Sequence, residues 1–324
     1  MSAVILLFIL GLVCLIKGGD WFVDGAVGIA RYFRLPELLI GATVVSIGTT
    51  LPEVMVSTTS ALSGHGEIAY GNAIGSIICN TSLIAAITIT IRPGKADRKA
   101  LMLPVLFFFA AAAVYCITAY GSGWFGRPVG GLLLIMFIIY LICSAKEVKG
   151  SFDTPGKGDG EEQVRTASRA AKHLFFLIFG AVLIAAGANL LVENGILIAR
   201  ALGVPESVIA LTFVALGTSL PELVTAVSSL IKGHGALSLG NVIGANLFNL
   251  VLVSGSSMIL APFHTPQSAV FLGMNASLIL EIPLMLLVMA ILVVPVFVKG
   301  ELKRVQGILL LCIYAGFCIV QFNL

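Results

Sequence analysis

Two glutamates stand inside apolar stretches, each ending a near-identical phrase: GTTLPE at 48–53 and GTSLPE at 217–222. A carboxylate in such a segment is costly, and its default reading is functional. Thr49 and Thr50 precede Glu53 by four and three residues, and Thr218 and Ser219 precede Glu222 in the same way. On a helix, each carboxylate then shares a face with two hydroxyls one turn back. Pro52 and Pro221 have no N–H to offer the carbonyls of Gly48 and Gly217, so each helix kinks and a carbonyl oxygen is freed. Two carboxylates, four hydroxyls and unpaired carbonyls form an all-oxygen set. It suits a hard cation: Ca²⁺ with about six to eight oxygens at about 2.3–2.6 Å, or Na⁺. No His or Cys pair joins the set, which argues against zinc or copper.

A second layer follows each phrase, GNAIGSIICN at 71–80 and GNVIGANLFN at 240–249. Gly71 and Gly75, one turn apart, are expected to let helices pack closely. Ser76 and Asn80 could add oxygens; the second half offers Asn249 but has Ala245 in place of the serine. Asn72 and Asn241 could either ligate or cross-link helices. Lys17, Asp20, Asp24, Glu193 and Glu281 lie in or near apolar segments without a matching motif, and structural or gating roles are expected for them. Lys17 and Asp20, three apart, could pair. His65 and His234, in matching GHG turns, read as loop residues.

The elements that must position these groups are membrane helices. Of 324 residues, 58% are apolar and 11% charged, against about 25% charged in ordinary globular chains. The charges gather between apolar runs of about 18 or more residues. The spans expected are 3–30, 37–62, 68–91, 101–119, 128–145, 173–199, 206–231, 237–260, 273–294 and 306–323. The amino-terminal run has no basic residue ahead of it and reads as a first span rather than a cleaved signal. Segment 146–172, Gly-rich and charged, reads as a flexible linker. The net charge of +3 is too small to suggest nucleic acid, and the six cysteines show no paired spacing.

Residues 41–80 align with 210–249 without a gap, at an offset of 169, with sixteen of forty positions identical. Gly18/Gly187, Arg31/Arg200, Pro36/Pro205 and Glu37/Glu206 keep the same offset upstream. Each half therefore carries five spans: 1–145 and 173–324, joined by 146–172. Five is odd, so the halves enter the membrane from opposite sides. The expected architecture is an all-α polytopic protein of ten transmembrane helices in two inverted five-helix repeats, with a substrate site where the halves meet. Alternating the loops puts sixteen basic residues on the linker's side and only Arg127 and Arg200 on the other. By the positive-inside rule the linker is cytoplasmic and both termini lie outside.

With GTTLPE and GTSLPE each followed by a GNxxG segment, the sequence resembles the cation/calcium antiporter superfamily. Its prokaryotic sodium/calcium exchangers carry two α-repeats with a G-T-[ST]-L-P-E core. The resemblance implies an antiporter exchanging Na⁺ for Ca²⁺ by alternating access, with three Na⁺ per Ca²⁺. The implied ligands are Thr49, Thr50, Glu53, Ser76 and Asn80 with the Ser46 carbonyl, and Thr218, Ser219, Glu222 and Asn249 with the Ala215 carbonyl. Ala245 stands where some members have a hydroxyl, which removes one Na⁺ contact. Asn249 stands where others have Asp, a difference associated with potassium dependence, so independence from K⁺ is implied. No cofactor is expected beyond the transported ions, and the partners are inorganic cations and membrane lipid, in a bacterial inner membrane. Proton/calcium or sodium/magnesium exchange on the same scaffold remains an alternative. An ion channel or an intramembrane enzyme fits the inverted halves and repeated hydroxyls less well.

Overall fold

The computed structural model describes residues 2–33, 35–153, 167–202, 217–267 and 270–321. In chain order its helices are α1 (Ser2–Tyr32), α2 (Glu37–Leu62), α3 (Gly66–Ile91), α4 (Arg98–Gly121) and α5 (Arg127–Asp153). Then come α6 (Ala167–Ala201), α7 (Leu220–Ile231), α8 (Gly235–Leu260), α9 (Ser277–Lys299) and α10 (Arg304–Gln321). Among the described residues, nine helices are long and apolar enough to cross a membrane. The tenth, α7, is described only from Leu220; most of the rest of its expected span, 206–216, lies outside the described residues.

Boundaries follow local chemistry. Asp97 starts α4 by accepting from the N–H groups of Lys99 (2.9 Å) and Ala100 (3.4 Å). Gly300, at φ 74°, ends α9 in the left-handed conformation that suits glycine. Two differences from the sequence reading stand out. Helical structure runs to Asp153 in α5 and resumes at Ala167 in α6, so helices enter the segment read as a linker from both ends. The ninth span begins at Ser277 rather than 273, because Val270–Phe271 and Met274–Asn275 pair as a hairpin around Gly273, at φ 77°. That stretch is apolar, and hydropathy alone cannot separate it from a helix start.

The connecting segments pair in two groups. Gly94–Lys95, between α3 and α4, pairs with Glu301–Leu302, between α9 and α10. Trp124–Phe125, between α4 and α5, pairs with Phe263–His264, between α8 and α9. Exchanging the two halves converts one pair into the other. Both pairs join loops that ten alternating spans assign to the same side, as an inverted repeat requires.

α1 and α6 form a lateral pair. A Cβ on Gly18 would lie 2.9 Å from the Ile184 nitrogen, and one on Gly187 would lie 2.8 Å from the Gly11 carbonyl. Only glycine permits that backbone approach, which van der Waals packing rewards in lipid. The centre of the bundle is built from α2, α3, α7 and α8. Among the spanning helices α8 is the most enclosed, with 89% of its apolar window buried against 72% for α3.

Candidate cation site

α2 and α7 bring Glu53 and Glu222 to the centre, both 0% exposed. The two carboxylates are close enough to interact electrostatically, and Thr49 lies beside Glu222. All four carboxylate oxygens are buried, and none has a hydrogen-bond partner among the described residues. The same holds for Thr50 Oγ1, Ser219 Oγ, both side-chain polar atoms of Asn80, and Asn249 Oδ1. Buried polar atoms are nearly always paired, and an unpaired one costs about 1–3 kcal/mol, more for a charge. The orphaned oxygens among them, clustered on the residues that the sequence singled out, need a shared positive partner. The donor set is oxygen-rich and fits a hard cation as substrate.

Asn72 and Asn241 cross-link the halves, each holding a threonine of the other repeat. Thr49 Oγ1 donates to Asn241 Oδ1 at 3.2 Å, and Thr218 Oγ1 donates to Asn72 Oδ1 at 3.1 Å. With their protons so placed, both hydroxyls keep lone pairs for a cation. Asn72 Nδ2 continues to Ser57 Oγ at 2.8 Å and the Glu53 carbonyl at 3.3 Å. Ser46 Oγ donates to the carbonyls of Gly41 (2.7 Å) and Asn241 (2.9 Å), fastening α2 to α8. Asn249 Nδ2 donates to the Ala245 carbonyl at 3.0 Å, leaving its Oδ1 as the free atom. Ser76 is buried beside this layer at 4% exposure. Ala215 falls outside the described residues.

The backbone is irregular where the site needs it. π-helical turns span Asn80–Ala85 and Asn249–Ser254, at equivalent positions of the two repeats, and each begins at the candidate asparagine. Such turns are frequent at functional sites because they re-aim side chains and loosen the hydrogen-bond ladder. The two prolines behave differently. Pro52 lies inside a continuous helix, whereas Pro221 sits in the first turn of α7, after a break at Thr218–Ser219. The kink expected at Pro221 is therefore a helix start, where the missing N–H is tolerated.

The glycines of the second repeat seat α8 closely on α2. A Cβ on Gly240 would lie 2.2 Å from the Leu38 carbonyl, and one on Gly244 2.3 Å from Ser46 Oγ. The close packing expected of Gly71 and Gly75 is thus found at their partners Gly240 and Gly244; the segment of the second repeat equivalent to 38–46, residues 207–215, lies outside the described residues.

Other residues resolve differently. Lys17 does not pair with Asp20: Lys232 does, reaching the Asp20 carbonyl and Asp24 Oδ1, both at 2.7 Å. Glu281 accepts from Gln321 Nε2 at 3.0 Å, and Glu193 is exposed. His234 is a turn residue, as expected, but its Nδ1 lies 2.8 Å from Glu37 Oε1, joining the start of α2 to α8. Sequence comparison missed Thr225 and Ser229, both 0% exposed with unpaired hydroxyls, at three and seven residues after Glu222. That i, i+3, i+7 spacing was a visible signal. It escaped notice because Thr225 faces Val56 in the repeat. Also missed was Asn246, whose Nδ2 donates to Thr81 Oγ1 at 2.7 Å and whose Oδ1 is unpaired.

A helical membrane bundle of related halves, each bringing a buried carboxylate to the centre, is the architecture of a secondary transporter. A profile of the sodium/calcium exchanger family matches residues 3–146 and 172–323, and the chain belongs to that family. It is therefore a transporter of the sodium/calcium antiporter class and not an enzyme. It is 31% identical to the sodium/calcium exchanger MaX1 of Methanosarcina acetivorans, over 98% of each chain. It is 36% identical to an uncharacterised membrane protein of Methanocaldococcus jannaschii, over 95% of this chain and 94% of that one. A solved structure of the exchanger NCX_Mj, soaked with Na⁺ and Sr²⁺, superposes with a TM-score of 0.78 at 32% identity, covering 97% of both chains. The fold is accordingly ten transmembrane helices in two inverted five-helix repeats.

Proposed function

We propose that this protein exchanges Na⁺ for Ca²⁺ by alternating access, moving one net positive charge per cycle without K⁺. The observation that carries this reading is the pair of fully buried, electrostatically interacting carboxylates, Glu53 and Glu222, with unpaired hydroxyl and amide oxygens in the same layer. The cation ligands are Glu53, Thr49, Thr50, Ser76, Asn80 and the Ser46 carbonyl, with Glu222, Thr218, Ser219, Asn249 and the Ala215 carbonyl. Two carboxylates give the site a formal charge of about −2, which one Ca²⁺ neutralises and three Na⁺ exceed by one.

Alternating access is supported by the inverted repeat itself, since two halves related in this way can exchange roles and open the site on the other side. Residues 1–145 and 173–324 act as the two repeats and 146–172 connects them. The sixteen-to-two distribution of basic residues puts the connector in the cytoplasm and both termini outside. A helical bundle belongs to an inner, plasma-type membrane, since bacterial outer membranes house β-barrels.

The experiment is ⁴⁵Ca uptake into proteoliposomes under imposed gradients. Uptake that requires an outward Na⁺ gradient is the expected result. Uptake driven by ΔpH alone would mean a proton/calcium antiporter, competition by Mg²⁺ as the preferred divalent ion a sodium/magnesium one, and uptake down the Ca²⁺ gradient without a counter-ion a channel.

A further inference from the structure

Lys17 is an exposed cation in the apolar sequence of α1, and no described carboxylate lies within ion-pair distance of it. Its depth can be read from a neighbour. Lys232, the residue after α7, holds the Asp20 carbonyl and Asp24 Oδ1, so the polar boundary on the linker's side crosses α1 at about residues 20–24. Lys17 lies three residues further in, about 4.5 Å at 1.5 Å per residue. A lysine stem spans that distance and returns its ammonium to the boundary.

The surface beside Lys17 is aromatic. Trp21, one turn away, stacks on Phe176 of α6 at 6.2 Å between centroids and meets Phe179 at 5.6 Å. Phe175 stacks on Phe179 at 5.4 Å. Lys172 Nζ sits 5.6 Å from the Phe176 ring centre and closes the strip on the polar side. The strip Lys17–Trp21–Phe176–Lys172 thus bridges α1 and α6, with a cation at each end and lipid-exposed rings between. Asp20 and Asp24, the carboxylates on the neighbouring flank, share Lys232, and the three lysines Lys17, Lys172 and Lys232 against these two carboxylates leave a local charge of +1.

We infer that this strip is a binding site for one anionic phospholipid of the linker-side leaflet. The phosphate lies at the polar boundary, within reach of the Lys17 ammonium returned there and of Lys172, and the acyl chains run inward past Trp21 and Phe179. Apolar rings at the boundary accept the chain region, and unneutralised lysines select a negative headgroup over a zwitterionic one. The lipid would tie α1 to α6. This inference does not depend on which ions are exchanged.

The chain has two tryptophans, Trp21 and Trp124. In a Trp124→Phe background, Trp21 fluorescence reports the site directly. The protein is reconstituted in phosphatidylcholine vesicles containing increasing fractions of brominated phosphatidylglycerol or brominated phosphatidylcholine. Brominated phosphatidylglycerol should quench at a lower mole fraction, by about fivefold for each lysine engaged. Lys17→Gln should reduce that preference about fivefold, Lys17→Gln with Lys172→Gln should abolish it, and Lys17→Arg should keep it. Gel filtration of each variant checks folding. Equal quenching by the two lipids in the Trp124→Phe parent, or a preference that survives in the double glutamine variant, would overturn the inference. So would weak quenching by both lipids together with a cross-linkable dimer through Cys introduced at Phe175, which would mean that a second copy covers this face.

Discussion

Asn80 and Asn249 are the two buried amides that open the π-helical turns, and neither carries charge. With only Glu53 and Glu222 ionised, the Ca²⁺-loaded site is neutral and the site loaded with three Na⁺ is +1. All charge movement then belongs to the Na⁺ half of the cycle. At 100 mV one charge is worth about 2.3 kcal/mol, or about forty-fold in the final Ca²⁺ ratio at a fixed Na⁺ gradient. Ca²⁺–Ca²⁺ exchange, which uses only the neutral complex, should ignore voltage. Asn249→Asp adds a third carboxylate and reverses this assignment: the Ca²⁺ complex becomes −1 and the Na⁺ complex neutral. The forty-fold voltage effect on the end point should persist, because stoichiometry is unchanged, while Ca²⁺–Ca²⁺ exchange becomes voltage-dependent. The variant also loses the 3.0 Å donation from Nδ2 to the Ala245 carbonyl, a cost of about 1 kcal/mol. The assay is ⁴⁵Ca flux in K⁺-loaded vesicles clamped by valinomycin. An end point indifferent to voltage means two Na⁺, or protons, per Ca²⁺ and refutes the charge count. Voltage-sensitive Ca²⁺–Ca²⁺ exchange in the unmodified protein would refute the assumption that both glutamates ionise.

Glu53→Gln and Glu222→Gln should each reduce Ca²⁺ flux at least a hundred-fold with helical content unchanged by circular dichroism, since a lone carboxylate leaves a divalent ion uncompensated; near-normal flux in either removes the central assignment. Asn72→Ala and Asn241→Ala should each weaken Ca²⁺ binding by about fivefold, for about 1 kcal/mol of lost inter-repeat hydrogen bonding. Calorimetric titration that finds no change would mean the two threonines are positioned by other contacts. Gly240→Ala should destabilise by about 1–3 kcal/mol through overpacking against the Leu38 backbone; an unchanged melting temperature would contradict that close approach. A cysteine at 150–165 should react only with reagents that reach the cytoplasm and one after Asn323 only from outside, so labelling of both from one side would mean an odd number of spans.

What the sequence determined by itself was local and repetitive. The i−4, i−3 placement of Thr49 and Thr50 before Glu53 needs only helical periodicity to bring hydroxyls and carboxylate to one face; in the copy at 217–222 the same spacing meets a helix that starts at Leu220, with Thr218 and Ser219 in the break before it. The apolar runs and the odd span count per half need only hydropathy and the offset of 169, and the profile and superposition agree with them. Contacts between helices distant in the chain are different, because periodicity says which face is polar and not what it meets. Whether Asn72 and Asn241 face an ion or a threonine was open until α3 and α8 were packed against the opposite repeats. Lys232 rather than Lys17 became the partner of Asp20 because the turn after α7 comes down on α1, although Lys17 is nearer in the chain. The π-helical turns at Asn80 and Asn249 carry no sequence signature, since the surrounding helices compensate the loosened backbone ladder. The seat of Gly240 and Gly244 on Leu38, Ala42 and Ser46 could not come from the sequence either: the GNxxG phrase offers small residues, and only the packed molecule says which backbone they meet.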